Sequence, residues 1–395
     1  MASKKKRVII GLLIVLALAG AWFYYAYFVS TNAAIRHAEA FLFRRMTVPQ
    51  QEDAGTYRHF FVTNRNQEPG DAALEERFGN NREETLKFGS FDIRIEPSLG
   101  LGMIINPTDW FQNEEIRLSD ITQFDQSSFV KQLGQNVEMS PGRSLLIIIH
   151  GFREGFPSAL RKTAFIASVL DINTPVLVFD WPGDQGSSLR GYRNARTVAE
   201  ASGAELARMI EIVLDEINPD HLSIIANSMG AQVVADAFSI LYTNPELADA
   251  DKELDHVILT APDVDHAEFN NQFKREIKAL ANHLTVYVSS NDRALLMSRL
   301  INRAERLGES SLSMDQLPEA LSILNLIEPD DGLITLVDVT PVNRTRNFHN
   351  FSLETPEFFD DLYLRLTTDD VPKSRLLYRV QTPDNSVYWV LTRGR

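Results

Sequence analysis

The sequence predicts an α/β fold, a mostly parallel open sheet flanked by helices and preceded by one N-terminal transmembrane helix. Three observations carry this expectation. Short apolar runs recur between residues 144 and 339, each ending in small or polar residues. Helical patterns separate those runs, and strands alternating with helices argue for parallel pairing. Finally, an uncharged run of twenty-two residues, Val8 to Val29, stands directly behind a basic tip.

In chain order, Lys4, Lys5, Lys6 and Arg7 precede that run. Twenty-two helical residues rise about 33 Å, enough for a hydrocarbon core of about 30 Å. Trp22, Tyr24, Tyr25 and Tyr27 crowd its far end as an interfacial belt would. A cleaved signal peptide ending near Ala17-Leu18-Ala19 is the rival reading, but the apolar run continues well past that point. The charge asymmetry places the N-terminus in the cytosol and the rest on the extracytoplasmic (periplasmic) side of a single-pass protein. Residues 31–45 read as a short amphipathic stalk helix, with Ile35, Ala38, Phe41 and Leu42 on one side.

From Thr56 strand character begins, with Tyr57–Thr63 and Phe88–Ile95, followed by a loop-rich stretch to about residue 143. The regular series then runs through Ser144–Ile149, Val176–Phe179, Leu222–Ile225, Val257–Leu259, Leu284–Val288 and Ile334–Val339. The clearest helix between them spans about Arg193 to Ile217, with Val198, Leu206, Ile210, Val213 and Ile217 on one face. Leu317–Ile327 reads as a helix packed on the sheet, or as part of a lid over residues 308–333. Leu376–Val380 and Val387–Leu391 flank a turn and form a C-terminal hairpin. The chain thus divides into a tip and anchor (1–30), a stalk (31–56), an α/β catalytic domain (57–370) and a hairpin extension (371–395).

Composition removes several functions. The formal net charge is −14 despite the basic tip, so phosphate backbones are repelled and no nucleic-acid partner is expected. There is no cysteine, which excludes disulfides, thiol catalysis and thiolate zinc sites. No phosphate loop and no HExxH motif occurs, and Gly100-Leu-Gly102 is too little for a dinucleotide fingerprint. No cofactor is therefore called for. Asp263, Asp265 and His266 could pass for metal ligands, but three residues in one short loop more often build a turn, so no metal site is assigned.

The strongest chemical signal is Ala226-Asn-Ser228-Met-Gly230, where a strand turns directly into a helix with serine at the corner. Such an elbow needs small residues two before and two after the serine, because the two backbones crowd there. Ala226 and Gly230 meet that need. The alternative is a serine N-cap on an ordinary helix. An activated serine needs a base and an orienting acid, in the chain order serine, acid, histidine on a sheet of this kind. Of the histidines after Ser228, His256 and His283 precede strands at the opposite end and His266 starts a helix. His349 follows the last strand of the series and has the right address. Asp292 ends the strand before it, and Asp263, one strand earlier, is the alternative acid. Backbone N–H groups for an oxyanion would come from Met229 and from Phe152 in His150-Gly151-Phe152. Trp181, in Asp180-Trp181-Pro182-Gly183, would wall the pocket.

Together these pieces resemble the α/β-hydrolase superfamily. More narrowly they are similar to a bacterial group of uncharacterised serine hydrolases with an S-M-G nucleophile elbow. The likeness rests on Val62-Thr-Asn-Arg65, His150-Gly-Phe152, Phe179-Asp-Trp-Pro182, Ser228-Met-Gly230, Ala261 to Asp265, Tyr287 to Leu295 and His349, and covers about residues 57–366. That group usually carries histidine just before the serine, where this chain has Asn227. The resemblance implies Ser228, Asp292 and His349 as the triad and names no substrate. The expected function is a membrane-anchored serine hydrolase acting on a small-molecule or lipid-like carboxylic ester, held to the membrane by residues 8–29. The alternatives are a non-catalytic binding or envelope-assembly module, and an acyltransferase or amidase using the same triad. Oligomeric state and acyl-chain length are not encoded in any motif.

Overall fold

The computed structural model describes residues 46–52, 55–95, 116–248, 254–289, 292, 334–343, 351–367, 376–381 and 387–393, together with Val15, Ala17 and Leu18. The expected stalk helix (31–45), the 308–333 segment, His349 and all but three residues of the 8–29 run lie outside them. Among the described residues no helix is long and apolar enough to cross a membrane.

Eleven described strands form one sheet. They are β1 (Thr56–Gln67), β2 (Phe78–Ile95), β3 (Ile116–Phe124), β4 (Ser144–Ile149), β5 (Val176–Asp180) and β6 (His221–Asn227), then β7 (Leu254–Thr260), β8 (Ala281–Val288), β9 (Ile334–Asp338), β10 (Leu377–Gln381) and β11 (Val387–Leu391). Their order is β10-β11-β9-β8-β7-β6-β4-β5-β1-β2-β3. Pairing is parallel from β1 through β5, β4, β6, β7, β8 and β9 to β11. Only β1–β2, β2–β3 and β10–β11 pair antiparallel. The C-terminal hairpin is thus continuous with the sheet, through Trp389 and Val390 of β11 against Val337 and Asp338 of β9.

Alternate residues of the central strands feed two cores. Ile147, Ile149, Ile224, Ala226, Val257 and Leu259 face one side. There they meet α1 (Gln126–Met139), α3 (Leu189–Ile212) and α4 (Gly230–Tyr242). Leu146, Ile148, Ile225, Ile258 and Tyr287 face the other, against α2 (Phe156–Leu170) and a later helix at Pro356–Thr367. Burial on both faces is what makes these strands continuous apolar runs.

Four elements depart from expectation. The stretch before residue 143 is not all loop. It contains the edge strand β3 and the helix α1, which is capped by Asp125 accepting from Ser128 N–H at 2.8 Å. Its buried stripe is only Phe129, Leu133 and Val137. β2 begins at Phe78 rather than Phe88, its first half being polar and lying toward the edge of the sheet. The long helix begins at Leu189, where Ser188 caps Gly191 N–H at 3.0 Å. It runs on through a wider turn over Val213–Ile217 to a left-handed stop at Asn218, φ 50°.

Candidate active site

In a parallel sheet the loops at the carboxyl ends of the strands share one edge, where ligands bind in such folds. Here that edge gathers the segments after β4, β5, β6, β7 and β8. β6 passes into α4 through Ser228 and Met229 alone. Ser228 is buried and has φ 53°, a left-handed conformation costing a non-glycine residue about 1–2 kcal/mol. Backbone bonds hold it there. Its N–H donates to Thr260 O at 2.9 Å, and its carbonyl accepts from Asp263 N and Ala231 N, each at 3.1 Å. Two of these three bonds come from the end of β7, so a neighbouring strand fixes the strained turn.

The small residues around it are sterically required. A Cβ on Gly230 would stand 2.4 Å from His150 O and 3.0 Å from Ile149 O. One on Gly151 would stand 3.0 Å from Ser228 Cβ. Ala226 is wholly buried. The loop after β4 is therefore pressed against the corner, and brings Phe152 beside it. Among the described residues neither the Met229 N–H nor the Phe152 N–H has a hydrogen-bond acceptor.

Behind this loop lies a buried polar network that the sequence reading did not assemble. Arg65, at 0% exposure, donates to Asp180 through Nε (2.6 Å) and an NH2 nitrogen (3.1 Å). The same guanidinium donates to Glu154 O at 2.7 Å and Trp181 O at 2.8 Å. It thereby ties the loops after β4 and β5 together. Thr63 Oγ1 donates to Asp180 Oδ2 at 2.7 Å. His150 places Nε2 3.0 Å from Asp180 Oδ1 and 3.2 Å from Trp181 N–H, and Nδ1 2.9 Å from Gly151 O. Burial raises the Asp180 pKa, but the charges and hydrogen bonds of Arg65 and His150 outweigh it, so the group ends below the ordinary carboxylate range. Asp180 is the hub of the network. The Trp181 indole, expected as a pocket wall, is wholly buried, stacked on the His150 ring at 5.6 Å and donating to His150 O at 2.9 Å.

The two acid candidates are both buried at this edge. Asp263 accepts from Tyr192 Oη at 2.5 Å, and the Tyr192 ring meets Phe152 edge-on at 5.6 Å. Asp292 lies beyond β8, its N–H donating to Ser289 O at 3.3 Å. Asn227, next to Ser228, donates from Nδ2 to Thr260 Oγ1 and to Ser352 Oγ, both at 2.9 Å. Asp265 caps the following turn, accepting from Ala267 N–H at 2.9 Å and Glu268 N–H at 3.1 Å. Among the described residues no group of three or more acidic or histidine side chains could hold a metal ion. His221, His256 and His283 line a cleft of about 870 Å³ at the opposite, amino edge of the sheet, away from Ser228.

Residues 125–362 match the family described as "Alpha/beta hydrolase of unknown function (DUF900)", which takes in well over half of the chain. The chain belongs to this α/β-hydrolase family. The matched segment runs from the cap of α1 through β4 to β9, and so includes the whole carboxyl edge described above. No curated protein matches the chain. Similar solved structures include three of one cold-adapted esterase from an Arctic intertidal metagenomic library, each 10% identical and covering 80% of this chain and 97% of the other. Their TM-scores are 0.35 for the native form, 0.39 for the PEG-bound form and 0.36 for the zinc-bound form.

Proposed function

We propose that this chain is a serine hydrolase of carboxylic esters, working through an acyl-enzyme on Ser228. The observation that carries the reading is the serine held at φ 53° between β6 and α4, beside two N–H groups without acceptors among the described residues. His349 takes the proton from Ser228 Oγ as the Oγ–carbon bond forms. The carbonyl oxygen gains the negative charge and accepts from the Met229 and Phe152 amides, and the dipole of α4 favours it there. The intermediate expels the alcohol, which leaves with the proton from His349. Water, deprotonated by the same imidazole, then releases the acid and restores Ser228.

His349 is three residues from Ser352, whose hydroxyl is bonded to the residue preceding Ser228. Asp292 is the acid in this reading, orienting the imidazole and steadying its charged form. Asp263, the alternative acid, accepts from Tyr192 Oη at 2.5 Å. In this reading residues 8–29 anchor the protein, residues 57–370 are the catalytic domain on the extracytoplasmic side, and lipid-like as well as soluble esters are substrates.

Labelling of the full-length protein by a fluorophosphonate probe tests the nucleophile. Wild type should label and Ser228→Ala should not; equal labelling of both would remove Ser228 from the mechanism. A graded panel of p-nitrophenyl esters, with and without competing alcohol or amine acceptors, separates hydrolysis from acyl transfer by the products formed.

A further inference from the structure

We propose that His150, held by Asp180 and Arg65, is a positioning residue for the oxyanion site: its bond to the Gly151 carbonyl sets the direction of the Phe152 N–H. The inference rests on the serine-hydrolase reading above and assigns the purpose of the buried network that reading leaves unused.

The geometry is that of a single peptide group. The Gly151 carbonyl and the Phe152 N–H belong to the same planar unit, and in a trans peptide they point to opposite sides. No cis peptide bond occurs among the described residues. A carbonyl oxygen only accepts, so His150 Nδ1, 2.9 Å from Gly151 O, carries a proton in this contact. Pulling the carbonyl toward His150 turns the amide toward the opposite side. Rotation of that one peptide plane would otherwise be cheap, because glycine at 151 leaves its backbone dihedrals nearly free.

The imidazole can do this only if it is itself immobile, and every degree of freedom it has is blocked. Nε2 lies between the Asp180 carboxylate and the Trp181 N–H, so it is bound whether or not it carries a proton. The ring face is covered by the parallel Trp181 indole, at an interplanar angle of 4°. Asp180 is fixed in turn by Arg65 and Thr63. Arg65 reaches beyond Asp180 to Glu154 O and Trp181 O, clamping the far side of the same loop. Thr63, Arg65, Asp180 and His150 thus form one run of hydrogen bonds that ends on a single carbonyl. Packing alone would be met by apolar residues, whereas a buried ion pair is costly to desolvate and adds little net stability.

Two isosteres separate positioning from packing. The amide of asparagine ends at the same bond count as Nδ1 and can still donate to Gly151 O. Glutamine, one carbon longer, reaches toward Asp180 instead and leaves Gly151 O without its donor. An interaction made only in the transition state lowers kcat and spares KM. With the full-length protein and a p-nitrophenyl ester, His150→Asn should stay within about tenfold of wild type, while His150→Gln should lose about a hundredfold in kcat with KM within about twofold. Fluorophosphonate labelling rates should fall in the same order at matched melting temperatures. Equal losses in the two variants, or a loss expressed in KM, would overturn the positioning role while Ser228 still labels. A folded wild type that never labels would overturn the hydrolase reading and this role together. Should His150→Gln not fold, His150→Ala with added imidazole replaces it: labelling that rises with imidazole supports the role, and a flat response overturns it.

Discussion

His59 offers a stability test whose size follows from its burial. It lies on β1 opposite Phe91 of β2, with ring centroids 5.7 Å apart, and is wholly buried. Among the described residues neither ring nitrogen has a hydrogen-bond partner. Burial pushes its pKa from 6.5 down to about 3. A depressed pKa means that the unfolded chain takes up a proton near pH 6.5 and the folded protein does not. The stability associated with the neutral ring is therefore complete above that pH and is lost as pH falls toward 3. For one group the slope approaches about 1.4 kcal/mol per pH unit, giving a loss of about 1.4 kcal/mol at pH 5.5 and about 2.7 kcal/mol at pH 4.5. His59→Leu keeps most of the volume, removes the two orphan nitrogens and removes the titration. Urea unfolding of the full-length wild type and variant between pH 7.5 and 4.5, read at constant m-value, isolates the term as the difference between the two curves. The variant should gain on wild type by about 2.7 kcal/mol across that range. A difference that stays constant with pH would mean that the ring is protonated within the fold, and would refute the argument.

Four further substitutions have outcomes fixed by the same structure. Ser228→Gly should be more stable than Ser228→Ala by about 1 kcal/mol, since glycine accepts φ 53° without the alanine Cβ penalty; a less stable glycine variant would show that the corner is not strained. Gly230→Ala should lose about 1–3 kcal/mol and most labelling, because its Cβ meets the His150 carbonyl at 2.4 Å; a neutral effect in melting and labelling would contradict the close approach. Asp236 has its pKa raised to about 6 by burial, so its stability contribution is present below pH 3.8 and is lost as pH rises through 6. Asp236→Asn should therefore gain about 2 kcal/mol at pH 7, after allowance for partial solvent screening, and nothing at pH 3.5, as read by the same urea titrations. Asp292→Asn should reduce kcat by about a thousandfold or more while Asp263→Asn costs only a few-fold, and the reverse order would move the acid to Asp263.

The parts of the fold that could be read from the sequence are those whose environment is the same on both faces. β4, β5, β6, β7 and β8 are covered on both sides, so each appears as an unbroken apolar run, and the observed bounds differ from the expected ones by a few residues. β3 and the first half of β2 lie at one end of the sheet, with residues such as Asn80, Glu84, Arg117 and Gln123 on them, and give no such run. α1 buries one residue per turn, Phe129, Leu133 and Val137, around a central Gly134, too narrow a stripe to stand out from a polar stretch.

At the site, the serine corner was legible for a local reason: the residues that make room for it, Ala226 and Gly230, are its immediate neighbours in sequence. The loop at His150-Gly151-Phe152 was legible too, but the polar network behind it was not. Asp263 and Asp292 both follow strand ends, and the partner of Asp263, Tyr192, lies 71 residues earlier on a helix whose periodicity gives no sign of a polar task. Arg65 and Asp180 are 115 residues apart, and each alone reads as an ordinary strand-end charge. Their pairing becomes visible only through the parallel register of β1 with β5, which sets Thr63 opposite Asp180. That register explains why a fully charged residue can follow Phe60, Phe61 and Val62 into the interior: it is placed where two loops and a carboxylate supply its acceptors. A long side chain with five donors in a planar fork satisfies three segments at once and meets the Asp180 carboxylate with two of its nitrogens. The serine corner at the edge and the charge beneath it therefore meet in one segment, the loop after β4.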